Sequence, residues 1–87
     1  MDYSNCDLRG MDLGGGDLKN TVFTGADLKR SILEFSDMTR VEARKADLES
    51  ASFKRADLRN ANLSETNLKN VDFRKANLKG ADVSGAF

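Results

Sequence analysis

Apolar residues recur at every fifth position from Tyr3 to Val83 without a slip. The series runs Tyr3, Leu8, Leu13, Leu18, Phe23, Leu28, Leu33, Met38, Ala43, Leu48, Phe53, Leu58, Leu63, Leu68, Phe73, Leu78 and Val83. A period of five fits neither the 3.6 of a helix nor the 2.0 of a strand, so the chain is a tandem repeat. Two residues before each of these centres sits a mostly small side chain, such as Cys6, Gly16, Ala26, Ser36, Ala46 or Ala76, with Met1, Met11, Val41 and Val71 as larger members. The residue just before the centre is usually Asp or Asn, and the two after it are mostly polar, charged or Gly.

The unit is nearly pure in Ala56-Asp57-Leu58-Arg59-Asn60 and in Ala76-Asn77-Leu78-Lys79-Gly80. Seventeen such copies in one register resemble the pentapeptide-repeat family, over the whole chain. The resemblance implies an all-β fold: a right-handed quadrilateral parallel β-helix of about four coils, four pentapeptides to the coil. Residues 1–87 are then expected to form one domain, with centre and small residue inward and the other three outward. Elementary physics agrees with that expectation. One unit cannot bury its own Leu, so stacking must do it. The small register leaves room for one large side chain per face at close packing. An Asp or Asn beside each corner can accept local backbone N–H bonds. Coils spaced about 4.8 Å apart would make a rod roughly 20 Å long.

A β-helix has two open ends, and no amphipathic cap is legible at either. Phe87 stands where an Asp or Asn is expected, which suggests a ring folded over the last coil. Self-association through one end, with Tyr3, Val83 and Phe87 as candidate residues, is the favoured alternative and predicts a homo-oligomer. Charge sharpens the asymmetry of the ends. The net charge is zero, but residues 1–43 carry eight acids and five bases, and residues 44–87 carry six acids and nine bases. Met1 opens directly into the repeat, no run is long enough to cross a membrane, and the one cysteine, Cys6, excludes a disulfide framework. A cytoplasmic protein is the expectation.

Twenty residues per coil would stack positions twenty apart into columns. The first face (Leu8, Leu28, Leu48, Leu68) and third face (Leu18, Met38, Leu58, Leu78) carry Asp columns beside basic ones, which read as corner chemistry rather than as a metal site. The second face (Leu13, Leu33, Phe53, Phe73) departs most from the pattern. Ile32 replaces the Asp or Asn there, and Phe35 takes an outward place between Gly15 and Arg55. This is either an apolar contact patch or a ring lying over the bare Gly14-Gly15 backbone. Above it, Lys54, Arg55, Arg74 and Lys75 form a basic cluster without aromatic interleaving, so a nucleic-acid site is disfavoured. The fourth face is centred on Tyr3, Phe23, Ala43, Leu63 and Val83.

No catalytic constellation emerges. The chain has no His, its Cys lies in the inward register, and it has no P-loop, dinucleotide fingerprint or zinc spacing. No cofactor or metal is expected. Two function classes remain. One is a non-enzymatic protein-binding or scaffold module, with Ile32, Phe35, Lys54, Arg55, Arg74 and Lys75 as candidate contacts. The other is what the resemblance implies for the quinolone-resistance members of the family, an acidic DNA mimic acting on DNA gyrase and topoisomerase IV. A neutral, loop-free chain with a basic second half departs from that type.

Overall fold

The computed structural model describes all 87 residues. The backbone winds so that each residue before a centre bridges, in parallel, to the residue twenty further on. Asp2 pairs with Val22, Asp7 with Asp27, and so on to Asn62 with Asp82, in thirteen bridges. Each pentapeptide contributes three inter-coil bonds. Two N–H groups donate to the following coil, as Tyr3 does to Val22 O (2.7 Å) and Asn5 to Thr24 O (3.0 Å). One donates back, as Val22 does to Met1 O (2.9 Å). A coil is therefore twenty residues with four faces, and the sequence registers coincide with the columns of the structure.

Corners are made by tight turns in which the N–H of the small residue donates to the preceding centre's carbonyl, as Cys6 does to Tyr3 O (3.1 Å). Of the two residues between them, the second is left-handed at every corner. Five of these are Gly, four are Asn, and the rest include Arg30, Phe35, Arg55 and Lys75 at φ near 60°. A positive φ at the third turn residue is the type II geometry that Gly and Asn tolerate best. The Asp/Asn register closes the corner from outside. At all thirteen places where it holds Asp or Asn, the side-chain Oδ1 accepts the N–H two residues on, as Asp12 does from Gly14 (3.0 Å). Val22, Ile32, Glu42 and Ser52 hold that register without such a bond.

The core is a central column of sixteen buried apolar residues from Leu18 to Leu63. Ala43, the one small centre, is buried together with Val41, whose extra volume offsets it. Aromatic centres stack in two places: Phe53 on Phe73 (5.5 Å between ring centroids) and Tyr3 on Phe23 (5.8 Å). Polar members of the small register turn back on their own corner, since Ser36 Oγ donates to Leu33 O and Thr66 Oγ1 to Leu63 O (2.7 Å). Ser31 Oγ is buried with no partner.

Two expectations are corrected. The molecule is a block rather than a rod, 26 Å along each principal axis. A few coils of twenty residues are about as wide as the stack is tall. Phe87 does not fold over the last coil. Its N–H donates to Thr66 O and its carbonyl accepts from Leu68 N–H, so the ladder carries it outward, 75% exposed. Both end coils are accordingly open. Tyr3, Leu8 and Leu13 at one end, and Leu68, Phe73 and Leu78 at the other, are only partly buried. Cys6 shares that half-exposure.

Candidate protein-contact surface

The corner between the second and third faces stacks Gly15, Phe35, Arg55 and Lys75, all left-handed. The ladder holds them there, because Phe35 N–H donates to Lys54 O and Arg55 N–H to Arg74 O (both 3.0 Å). L-residues pay about 1–2 kcal/mol for this conformation, so tertiary pairing overrides local preference at Phe35, Arg55 and Lys75. The Phe35 ring is 63% exposed. A Cβ built on Gly15 would meet nothing within 4 Å, so the ring does not lie over that glycine. Instead the Arg55 guanidinium stands 5.8 Å from the ring centroid. Ile32, in the same pentapeptide, is 41% exposed. Together they make an apolar step on an otherwise polar wall.

The basic residues above this step differ in their freedom. Arg74 is committed to Asp72 at 2.8 Å, and its hydrogen bonds hold the Asp72 carboxyl at about 2. Lys54, Arg55 and Lys75 make no ion pair and remain available to a partner's acids. Glu34 accepts a bond from Ser52 Oγ (2.7 Å), so the one acid beside Phe35 is already engaged. The Asp columns elsewhere are interleaved with bases. Lys29 Nζ lies 3.2 Å from Asp27 and 3.3 Å from Asp47, Arg9 joins Asp7 to Asp27, and Arg44 pairs with Glu65.

The candidate end residues are not brought together. Tyr3 lies in the first coil, its hydroxyl donating to Met1 Sδ (3.1 Å). Val83 and Phe87 lie in the last coil, Val83 being 49% exposed. Sequence reasoning missed a shallow polar groove of about 280 Å³ on the third face, lined by Lys19, Asp37, Thr39, Arg40, Arg59 and Asn60. Its signal was present, since these positions fall in adjoining columns of a twenty-residue coil.

The family model described as "Pentapeptide repeats (8 copies)" matches residues 4–40, 17–55 and 51–87. The chain belongs to the pentapeptide-repeat family.

Solved pentapeptide-repeat structures match it in shape. Rfr23 from the cyanobacterium Cyanothece 51142 aligns over 98% of this chain and 58% of its own, with 29% identity and a TM-score of 0.95. A trypsin-treated form of QnrB1, a plasmid-mediated fluoroquinolone resistance protein, aligns over 98% of this chain and 42% of its own, with 17% identity and a TM-score of 0.92. HetL from the cyanobacterium Nostoc sp. strain PCC 7120, involved in heterocyst differentiation regulation, aligns over 98% and 46%, with 29% identity and a TM-score of 0.59. This pentapeptide-repeat chain thus spans between 42% and 58% of the length of these relatives. At 17% identity the likeness to QnrB1 is one of fold alone. No curated protein sequence matches the chain. No helix is long and apolar enough to cross a membrane.

Proposed function

We propose that this chain, as a right-handed square β-helix of about four coils, is a non-enzymatic cytoplasmic module that binds another protein through the Phe35 corner. One observation carries the reading: an exposed aromatic ring held in a left-handed turn that Gly or Asn would fill with less strain. Strain kept at an exposed position is a reason to look for function there. Ile32 widens the apolar contact, and Lys54, Arg55 and Lys75 lie within reach of an acidic flank on the partner. Arg55 also shields the ring while no partner is bound. An aromatic with neighbouring Arg is the composition of an interface hot spot. Lys29 between Asp27 and Asp47, and Arg9 between Asp7 and Asp27, neutralise the carboxylate columns that DNA mimicry would need to present to gyrase or topoisomerase IV.

The test is quantitative capture from an extract of the host, comparing wild type with a Phe35→Asn/Arg55→Ser variant. The expected result is at least one protein retained by wild type and lost with the variant, while the fold by circular dichroism is unchanged. Identical retention by both would refute the Phe35 corner as the contact. A supercoiling assay with gyrase and topoisomerase IV forms the second arm. Inhibition by wild type and variant alike would replace this reading with DNA mimicry.

A further inference from the structure

The second face lacks two of the hydrogen bonds that close corners elsewhere. In its column, Asp12 Oδ1 accepts the Gly14 N–H and Asp72 Oδ1 the Arg74 N–H, both at 3.0 Å. Between those two stand Ile32 and Ser52. Ile32 has no side-chain acceptor to offer, and Ser52 Oγ is turned to Glu34 Oε2 (2.7 Å). The N–H groups of Glu34 and Lys54 therefore find no acceptor within the chain. The ladder holds such a donor in place, and an N–H of this kind is completed by whatever oxygen reaches it.

The Lys54 N–H is the better placed of the two. The Lys54 and Arg55 side chains beside it make no ion pair, and Lys75 stands one coil further on. A fixed N–H flanked by cations is suited to a carboxylate. The fourth face has two similar donors, at Thr24 and Arg44, but there Arg44 is already paired with Glu65 (2.8 Å) and Glu42 stands beside it.

The shape of the carrier follows from the wall. The N–H groups of Ile32, Leu33 and Phe35 donate to Met11 O (2.8 Å), Ser52 O (2.8 Å) and Lys54 O (3.0 Å). Coils on both sides thus pair with this one, and an added strand has no free edge to extend. A helix brings its own backbone bonds and meets the wall by side chains alone. Arg55 and Lys75 lie about 4.8 and 9.6 Å beyond Phe35 along the stack. Helix residues at i+3 and i+7 advance about 4.5 and 10.5 Å, close to those steps. Alternate strand residues advance about 6.6 and 13.2 Å and fall out of step. Ile32 and Phe35, three residues apart, are separated by at most about 10 Å. One helix, about 10–12 Å wide, covers both.

We infer that the Phe35 corner receives an acidic helix of a partner protein lying along the stack axis, an inference that rests on the corner being a contact surface. An apolar side chain of the helix packs on Ile32 and Phe35. A carboxylate one turn on accepts the Lys54 N–H between the Lys54 and Arg55 side chains, and a second meets Lys75. The partner's carboxylate does for Lys54 what Asp12 does for Gly14.

The probe is a stapled helical peptide carrying one leucine and glutamates three and seven residues after it. It is titrated to millimolar concentration into the isotope-labelled chain and followed by the amide resonances. The expected result is a saturable shift at Lys54 and Arg55, with binding weakened about tenfold or more when glutamines replace the glutamates. Ser52→Asp supplies the oxygen from within the chain, so that variant should keep the wild-type circular dichroism and lose the peptide. No binding, an unmoved Lys54 signal, or equal binding by the glutamine peptide or by a proline-interrupted peptide overturns the inference. The corner itself is judged separately, by capture from host extract. A protein lost with Phe35→Asn/Arg55→Ser but retained by Ser52→Asp keeps the corner as a contact and overturns the carboxylate site. If Ser52→Asp does not fold, the wild-type titration decides.

Discussion

Two phenylalanines of one face, Phe35 and Phe53, should differ sharply in what their truncation costs. Phe53 is a centre, fully buried and stacked on Phe73. Its replacement by Ala removes a packed ring from a wall with coils above and below, which costs about 3–5 kcal/mol. Phe35→Asn acts on a ring that is 63% exposed. Roughly a third of a 200 Å² side chain is covered, worth about 1.6 kcal/mol at 25 cal/mol per Å². Loss of the exposed cation–π contact with Arg55 adds about 0.5–1 kcal/mol. Against these stands relief of about 1–2 kcal/mol of left-handed strain, since Asn accepts that conformation and already holds it at Asn5, Asn20, Asn60 and Asn70. The net loss is about 0.1–1.6 kcal/mol. For a chain of this size each kcal/mol moves Tm by about 4–8 °C. Thermal unfolding followed by circular dichroism should therefore show Phe53→Ala at least about 12 °C below wild type, with Phe35→Asn losing little more than half as much at most. A loss of about 3 kcal/mol or more for Phe35→Asn would refute the reasoning and make the ring a structural part of the corner.

Further outcomes follow from the corners and the carboxylates. Gly25→Ala should destabilise more than Gly10→Ala in urea unfolding. Both glycines are left-handed, but only at Gly25 would the added Cβ collide with Asn5 Oδ1. Stability should be flat from about pH 5 to 8, because the chain has no His, and should fall below about pH 4. Hydrogen bonds from the Arg9 and Arg74 side chains hold Asp7 and Asp72 at about 2; Asp2 and Asp82 are lowered first by the Ser4 and Ser84 hydroxyls, Asp57 by the Arg59 side chain, and Asp37 by the Thr39 N–H and hydroxyl. Such groups stabilise fully above the unfolded carboxylate value near 3.9 and lose that contribution as pH drops through their folded values. A Tm that holds steady down to pH 2 would contradict these assignments. Ile32→Asp should restore the missing corner bond to the Glu34 N–H, and thermal unfolding should show a Tm at or above that of wild type.

The column arrangement was legible because the five-residue period left one reading of which residues point inward. The family resemblance supplied the four-unit coil that turns spacing into adjacency. Ile32 and Phe35 stood out as breaks in that pattern, and both are exposed. The orientation of Phe35 was not legible, since whether a ring lies over Gly15 or beneath Arg55 depends on side-chain rotation that the repeat does not constrain. Left-handed corners were half visible in Gly10, Gly15, Asn20 and Gly25. They were obscured at Arg30, Phe35 and Arg40, where the inter-coil ladder imposes what the residue itself disfavours. Phe87 was misjudged because its departure from Asp/Asn suggested a change of path, whereas backbone bonds to Thr66 and Leu68 keep it on the ladder.

The contact claim is tested most directly by a photo-reactive phenylalanine placed at position 35, with position 20 as the control at the next corner around the coil. The account predicts a discrete crosslinked product with a host protein from position 35, competed away by excess wild-type chain and absent from position 20. Equal labelling from both positions, or none from position 35 while the chain remains folded, would contradict it.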